Sequence, residues 1–283
     1  MGYIKLSRRL ETITNEVPAG SVVFDVGCDH AHVPIRLLQE EKVPFAYGLD
    51  VAEGPLKIAE TNLELAGLTD QCSLMRSDGF SAIDTESVAA DLGERFPAAS
   101  RVLIIAGMGG ILMERILGED PDKTLFFDEM ILSPQSEQWL VREMLESLSI
   151  PIISEKMVEE DGKFYPVIHT GRQGGRGVRP DWEKLSKEAL SVEDPNALTA
   201  SRMLAEPSFQ RNAEMHYGPV LLKEQDPVLY EYIVRSLRSQ LGVLNTLEEK
   251  LDVSEKARER AASLSAKIGM LQVLLFMYTF LEQ

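Results

Sequence analysis

The chain has few cysteines and no long unbroken apolar run. Its two cysteines, Cys28 and Cys72, are too few for a disulfide framework, which favours a reducing cytoplasm. The apolar stretch at residues 270–281 is interrupted by Gln272 and Thr279 and is too short to span a membrane. The first residues also lack the apolar core of a signal peptide. We therefore expect a cytoplasmic protein without a membrane partner, and 44% hydrophobic content supports a real core.

Basic side chains are scarce relative to acidic ones, and the formal net charge is −16. Nearly all of the excess acid lies in residues 1–171, which carry 14 Lys and Arg against 29 Asp and Glu. Phosphate contacts depend on local potential more than on net charge, so an RNA partner is not excluded. The candidate RNA contacts, which are otherwise solvated surface charges, are Lys5, Arg8, Arg9, Arg172, Arg176 and Arg179. Residues 4–16 have helical apolar spacing, which predicts an amphipathic helix with its first basic cluster on the polar side.

The segment VVFDVGCDHAHVP, residues 22–34, predicts a buried strand, a polar turn and the start of a helix. Open α/β sheets bind nucleotide-like ligands at such a turn. Gly27 permits close approach of the backbone to a ligand, and Asp25 is an acceptor at the rim of the site. An ordinary strand–turn–helix with a polar loop is the alternative interpretation of this segment alone.

The next strands repeat this arrangement. The second predicted strand ends at Asp50, roughly 20 residues beyond Gly27, where nucleotide folds place an acid that faces ribose hydroxyls. The third ends at Ser77-Asp78-Gly79, and the fourth leads into the loop Gly107-Met108-Gly109-Gly110. This loop lacks the GKS or GKT of a P-loop, so we interpret it as a site of close, flat ligand approach.

Strands joined by helices and then a closing hairpin at Asp161-Gly162 predict an α/β fold, with a Rossmann-like seven-stranded sheet and one antiparallel strand. Residues 84–100 are interpreted as a polar stretch between the third and fourth strands. This topology is more typical of S-adenosylmethionine (SAM) methyltransferases, class I, than of dehydrogenases.

The charges of the turn after the first strand also favour SAM over NAD. An NAD-binding fold needs G-x-G-x-x-G, so that pyrophosphate rests on the helix N-terminus. Here the turn reads Gly27-Cys28-Asp29-His30, which places a carboxylate where phosphate would be repelled. SAM has no phosphate, and its sulfonium and amino group are cationic, so an acidic rim favours it.

The composition shifts to Arg and Gly at residues 171–180, which predicts a boundary between domains at 1–171 and 172–283. Two long helices are predicted in the second domain, the first beginning at Asp226-Pro227 and the second following residues 252–254. Their apolar residues, including Leu241 and Leu251 in the first helix, have heptad spacing, which predicts an antiparallel coiled-coil hairpin. An ordinary helical bundle is the alternative.

Several segments together resemble, in order, the blocks of the bacterial tRNA (adenine(22)-N1)-methyltransferase family. They are VVFDVGCDHAHVP, Asp50 with Glu53-Gly54-Pro55, Ser77-Asp78-Gly79, IIAGMGG, SPQSE, GKFYP and YGPVLLKE. The resemblance runs from about residue 6 to residue 224, followed by a coiled-coil tail where that family has one. The chain departs from the family at His32, where tyrosine is usual, and at Ser133, where glutamine is usual.

Membership of this family implies a SAM-dependent enzyme that methylates N1 of an adenine in the D-arm region of tRNA. We expect Asp29 to stabilise the cationic product and His30 to position Asp29 or the base, although Asp29 could instead cap the following helix and His30 could be structural. Asp50 is expected to hold the ribose of SAM and Asp78 its adenine. The full set of expected SAM contacts is Asp25, Gly27, Asp50, Val51, Ser77, Asp78, Gly79, Ala106, Gly107 and Met108. No metal site is expected, because the histidines lack metal-ligand spacing.

Two other functions compete with this one. The first is a SAM-dependent methyltransferase of a small molecule, with the coiled coil serving oligomerisation. The second is a non-catalytic module that binds SAM or RNA and recruits a partner through the helical hairpin.

Overall fold

The computed structural model describes residues 4–172, 178–248 and 255–281, which fall into two compact units, Met1–Gly177 and Val178–Gln283. The strands, all in the first unit, are β1 (Val22–Val26), β2 (Phe45–Asp50), β3 (Cys72–Arg76), β4 (Arg101–Ala106), β5 (Glu129–Ser133), β6 (Ile152–Glu160) and β7 (Lys163–Gly171). The helices of the first unit are α1 (Arg8–Glu16), α2 (His32–Gln39), α3 (Glu53–Ala66), α4 (Thr85–Arg95), α5 (Gly110–Glu119), α6 (Pro121–Thr124) and α7 (Gln138–Ser147). Those of the second unit are α8 (Trp182–Ala189), α9 (Ala197–Ala205), α10 (Pro207–Tyr217), α11 (Pro219–Lys223), α12 (Pro227–Glu248) and α13 (Glu255–Phe280).

The seven strands form one sheet in the order β3-β2-β1-β4-β5-β7-β6. The pairings from β3 to β5 are parallel, whereas β7 pairs antiparallel with both β5 and β6. The predicted Rossmann-like sheet with one antiparallel strand is therefore confirmed. Because the chain runs outward from β1 to β3 and then returns to β4 on the other side of β1, the carboxyl ends of β1 and β4 border the crevice where open α/β sheets bind ligands.

The strands are apolar on both faces because helices cover both. Phe24, Tyr47 and Leu103 lie in a core cluster with residues of α4, α5 and α7. The residues one position away, such as Val23 and Val102, pack in a second cluster with α1, α2 and α3. Side chains of a strand alternate between the two faces of the sheet, so each strand contributes to both clusters.

The polar stretch between the third and fourth strands, for which no helix or strand is predicted from the sequence, is mostly a helix. α4 begins after Asp84, whose carboxylate accepts hydrogen bonds from the backbone N–H groups of Glu86 and Ser87. Leu92 is its one buried side chain in the core. A single buried residue leaves little apolar periodicity to detect, whereas the Asp84 cap was the usable signal.

The secondary-structure elements described in the second unit are all helices. α12 and α13 pack against each other, but the predicted coiled coil stays a prediction: Leu241, a predicted seam residue, is 38% exposed, and Leu251 lies outside the described residues. The interval Arg258–Phe280 of α13 is long and apolar enough to cross a membrane, which the prediction of too short a stretch overlooked. Buried core helices meet the same test, and Leu271, among others in this interval, is buried.

Candidate active site

A cavity of about 280 Å³ lies at the carboxyl ends of β1 and β4. Its lining residues come from α1, from the end of β1, the following turn and the start of α2, and from the end of β4 with the residue after it: Arg9, Leu10, Asp25, Gly27, Cys28, Asp29, His30, His32, Val33, Ala106 and Gly107. The structure thus brings together six of the predicted catalytic and SAM-binding residues, Asp25, Gly27, Asp29, His30, Ala106 and Gly107.

Asp25 is the most buried acid of this cavity. Its side chain belongs to β1 and is only 5% exposed, so it lies deeper than the rim position predicted from the sequence. Burial, together with the negative charges of Asp50 and Asp29, raises the pKa of this carboxyl to about 7. A cationic ligand in the cavity would favour the ionised form and lower this pKa.

The turn after β1 is held against the end of β2. The backbone N–H groups of Gly27 and Cys28 both donate to the carbonyl oxygen of Leu49, at 2.7 and 3.0 Å. Gly27 has a φ of 74°, and a Cβ built there would lie 2.3 Å from the Met108 methyl carbon. Met108 therefore covers Gly27, so the lack of a side chain at Gly27 makes room for Met108.

Asp29 lies in this turn with a φ of 48°, a left-handed conformation that costs energy in a non-glycine residue. Its backbone N–H donates to Oδ2 of Asp50 at 3.3 Å, and Oδ1 of Asp50 accepts from the N–H of Ala52 at 2.9 Å. Asp50 thus holds the turn that presents Asp29. The capping alternative does not hold, because the N-cap of α2 is Ala31 and no side chain caps it.

The Asp29 side chain is accessible. It is 69% exposed, and its Oδ1 lies 3.4 Å from Nε2 of His30, which is 37% exposed. The rings of His30 and His32 meet edge to face with centroids 5.7 Å apart. The carbonyl oxygen of His30 accepts a hydrogen bond from the Asn62 side chain, which anchors the turn to α3. A carboxylate and two imidazoles therefore converge at the cavity.

The remaining predicted SAM contacts lie at the ends of β2 and β3. Val51, directly after Asp50, is 60% exposed. Ser77 is buried, and its hydroxyl accepts from the N–H of Ala82 at 3.1 Å. Asp78 and Gly79 line a second cavity, of about 200 Å³. Neither residue lines the cavity that contains Asp25.

Asp78 is engaged by a cation of α5. Arg115 Nη2 lies 2.7 Å from Asp78 Oδ1, and its hydrogen bond lowers the pKa of that carboxyl. No spacing along the chain signals this pair, because the two residues come from different elements. An adenine contact by Asp78 stays a prediction, and it would have to share the carboxylate with Arg115.

The glycine loop after β4 makes close contact with the SPQS segment after β5. The N–H of Gly110 donates to the carbonyl oxygen of Ser136 at 2.9 Å, and the N–H of Gln135 donates to that of Met108 at 2.8 Å. A Cβ at Gly110 would lie 2.2 Å from the Glu137 carbonyl oxygen. Close approach to a ligand is therefore not what Gly110 serves; Gly107, whose nearest neighbours to a Cβ are 3.8 and 4.0 Å away, keeps an open face at the cavity.

The predicted RNA contacts are dispersed. Lys5 and Arg8 are exposed, but Arg9 lines the cavity and is not on the polar side of α1. Arg179 lies 3.6 Å from a Glu214 oxygen. Arg172 donates its backbone N–H to the Asp128 carbonyl oxygen, and Arg176 lies outside the described residues.

Sequence reasoning missed the position of Arg9, and the signal was present. Arg9 follows Leu6 by three residues and precedes Ile13 by four, so it lies on the same face of the helix as these buried residues. Its guanidinium carbon lies 4.6 Å from the centre of the Tyr165 ring of β7, another residue that was not predicted.

Two other chemistries have little support among the described residues. No group of three or more His, Cys, Asp and Glu side chains there could hold a metal ion. Burial raises the pKa of the Cys28 thiol, which lines the cavity, and it raises that of Cys72 to about 12. Both thiols are therefore protonated near neutral pH and are poor nucleophiles.

Comparison with known proteins places this geometry in context. The chain is 27% identical over 272 residues to the tRNA (adenine(22)-N(1))-methyltransferase of Bacillus subtilis, covering 96% of this chain and 98% of that one. The crystal structure of the B. subtilis m1A22 tRNA methyltransferase has a TM-score of 0.70 at 26% identity and covers 96% of this chain and 99% of its own. A Streptococcus pneumoniae protein, described as a candidate tRNA (m1A22) methyltransferase and solved with S-adenosyl-L-methionine, has a TM-score of 0.67 at 26% identity, over 96% and 100% of the two chains.

A family model described as a methyltransferase domain matches residues 6–168. This match contains every strand up to β6 and most of β7, together with the cavity residues at the carboxyl ends of β1 and β4. It covers more than half of the chain, and the fold agrees with it. The chain therefore belongs to the methyltransferase domain family and has its class I, Rossmann-like fold.

Proposed function

We propose that the chain is a cytoplasmic, SAM-dependent enzyme that methylates N1 of adenine 22 in tRNA. The observation that carries the proposal is a cavity lined by Asp25 and Asp29 at the carboxyl ends of β1 and β4. It occurs in a chain that aligns almost end to end with a Bacillus subtilis enzyme named for this reaction.

The cavity residues fit the methyl donor. SAM, when bound, supplies an electrophilic methyl group on a sulfonium. Asp25 and Asp29 provide negative charge for its cationic groups, and the bare face of Gly107 leaves room for the amino-acid end. A cavity of about 280 Å³ is close to the lower limit of small-molecule sites, so we assign the adenosine part to the accessible residues Asp50 and Val51 at the end of β2.

The acceptor needs alignment more than activation. Adenine N1 has an unprotonated lone pair at neutral pH, so no general base is required. The site must hold N1 in line with the methyl carbon and exclude water. Since N1 lies on the Watson–Crick edge, the base must leave its pair to enter the site. His32, a ring that lines the cavity where the resembled family usually has tyrosine, can stack on the base or bond to it.

Asp29 is the group we assign to the developing charge. Methylation at N1 leaves a cationic ring, and a preorganised carboxylate stabilises such charge most in a site closed from water. The Asp29 side chain is accessible, while its backbone is fixed by Asp50. His30, whose Nε2 is 3.4 Å from the Asp29 carboxylate, restrains its orientation.

We assign SAM binding to the first domain and tRNA contact mainly to the helical second domain, helped by Lys5 and Arg8. The excess acid of residues 1–171 favours this division, because residues 172–283 are nearly balanced, with 15 Lys and Arg against 16 Asp and Glu. Lys5 and Arg8 are exposed, so they are available to phosphate groups.

The test is nucleoside mass spectrometry of a tRNA transcript incubated with the protein and SAM, with an adenine-to-guanine change at position 22 as the matched substrate control. We expect one N1-methyladenine per transcript, and none in the control. Asp29→Asn should lower the rate constant of methyl transfer about 10- to 100-fold with little change in SAM affinity. Methylation at another base, or a protein that binds SAM but transfers no methyl to RNA, would refute the proposal and favour a small-molecule acceptor or a non-catalytic role.

A further inference from the structure

The Arg9 guanidinium has no counterion among the residues that the structure describes. The Arg9 side chain lines the cavity, and Nε and Nη1 are buried without a hydrogen-bond partner among the described residues. No carboxylate of the described residues forms an ion pair with the Arg9 guanidinium. Glu160 accepts a hydrogen bond from Arg9, but the donor is the backbone N–H of Arg9. Burying a cation without a partner is costly, so this arrangement is stable only if something offsets it.

A contact within the protein offsets part of the cost of burying this cation. The guanidinium carbon lies 4.6 Å from the centroid of the Tyr165 ring, within the range of a cation–π contact. This stacking fixes the plane of the guanidinium but leaves its N–H donors unused. An anion with two oxygens is the ligand that the donor fork of arginine matches.

Nη2, the third nitrogen of the Arg9 guanidinium, faces the site. Nη2 of Arg9 lies 4.0 Å from where a Cβ of Gly107 would be, and the side-chain amide nitrogen of Gln135 lies 3.8 Å from the same point. Two donors therefore approach the open face of Gly107. Any side chain at this position would occupy the space between them.

The distribution of charge favours a zwitterion. The small cavity has acids, Asp25 and Asp29, and one arginine. An amino-acid group carries an ammonium and a carboxylate on the same carbon, so it can satisfy both signs at once. An RNA phosphate carries only negative charge, and in this cavity it would be repelled by the two aspartates.

We propose that Arg9 binds the α-carboxylate of the amino-acid end of the methyl donor, with Gln135 as a second donor. This assignment rests on the proposed use of SAM and differs from the RNA contact predicted for Arg9 from the sequence. It makes α1, which precedes the sheet in the chain, part of the donor site.

The test compares SAM with decarboxylated SAM, which keeps the sulfonium and the amino group but lacks the carboxylate. Isothermal titration calorimetry of the full-length protein should give a preference for SAM of about 10- to 100-fold, typical of a hydrogen-bonded charge pair. Arg9→Gln should reduce this preference to less than about threefold. Arg8→Gln, the neighbouring and exposed arginine, is the matched control and should keep it.

Other outcomes separate the alternatives. A folded Arg9→Gln protein that retains the full preference overturns the inference, and so does one whose only defect is weaker tRNA binding, which would identify a phosphate. If Arg9→Gln does not fold, Arg9→Lys keeps the charge and should retain an intermediate preference; an unchanged one overturns the inference. A wild type that binds neither ligand refutes the proposed function itself.

Discussion

A buried carboxyl group at the end of β1 makes the stability of the free protein depend on pH. Burial raises the pKa of Asp25 to about 7 from a usual value of 3.8. Between these values the native state holds a proton that the unfolded state has lost, so the free energy of unfolding falls as pH rises through this interval.

Asp25→Asn should remove this dependence. We expect the variant to exceed the wild type in unfolding free energy by about 2–4 kcal/mol at pH 8, with little difference at pH 4, while binding SAM more weakly. Urea denaturation at both pH values measures the first effect, and calorimetry the second. An equal stability difference at both pH values would mean that Asp25 does not titrate in this range.

Substitution of Gly110 tests the close contact between the glycine loop after β4 and the SPQS segment. A Cβ there would lie 2.2 Å from the Glu137 carbonyl oxygen, so Gly110→Ala must displace backbone. We expect a loss of about 2–4 kcal/mol in the free energy of unfolding. Gly242→Ala in α12, where a Cβ has open space, is the control and should stabilise by about 0.5–1 kcal/mol. Equal effects on thermal unfolding would argue against the tight loop contact.

At the scale of elements, α1 is tied to the sheet by an ionic cluster. Glu16, at the end of α1, accepts a hydrogen bond from Ser154 at 2.7 Å and lies 2.9 Å from Lys156 and 3.4 Å from His169 Nδ1. His169 Nε2 lies 2.7 Å from Glu129 of β5. The cluster therefore joins α1 to β5, β6 and β7, and α1 carries Arg9 at the cavity.

Glu16 and His169, two titratable residues of this cluster, respond to pH in opposite ways. Hydrogen bonding from His169, opposed by burial and aided by Lys156, lowers the pKa of Glu16 to about 2, so its contribution is complete above about 4.5 and is lost as pH falls. Burial lowers the pKa of His169, but Glu16 and Glu129 more than offset this, and the net pKa is raised above 6.5. Its contribution is complete below 6.5 and is lost as pH rises through the raised value.

His169→Gln should therefore destabilise the protein most in mildly acidic solution. We expect a loss of about 1–3 kcal/mol at pH 6 that shrinks as pH rises through the raised pKa of His169. Chemical denaturation of both proteins over this pH range gives the difference. A loss that grows with pH would contradict the assigned charge on the ring.

The elements that the sequence predicted well are those with a local signal. The strands β1 to β5 are short apolar runs, and the turn at Asp161-Gly162 has positive φ at both residues, as its dipeptide predicts. The pairing of Asp78 with Arg115 and the covering of Gly27 by Met108 join separate elements, so no spacing along the chain could predict them. Arg9 is an intermediate case. The helical spacing of α1 predicts the face on which it lies, but only the folded structure shows that no described carboxylate pairs with its guanidinium.

At the scale of the whole molecule, the division into two units makes its own prediction. The cavity residues all lie in the first unit, and α13 packs against α8 and α9 within the second, so a cut inside the second unit would disrupt it. We expect residues 1–177 alone to bind SAM within about threefold of the full chain and to bind tRNA much more weakly. A folded fragment that does not bind SAM would show that the second unit contributes to the donor site.

The proposed function and the role of Arg9 both depend on where the methyl donor binds. The most direct measurement is a crystal structure of the full chain with S-adenosylhomocysteine, the product form of the donor. We predict that its amino-acid end occupies the cavity between Asp25, Gly107 and Arg9, with its ribose at Asp50. Density at another place on the molecule, with this cavity empty, would contradict the account.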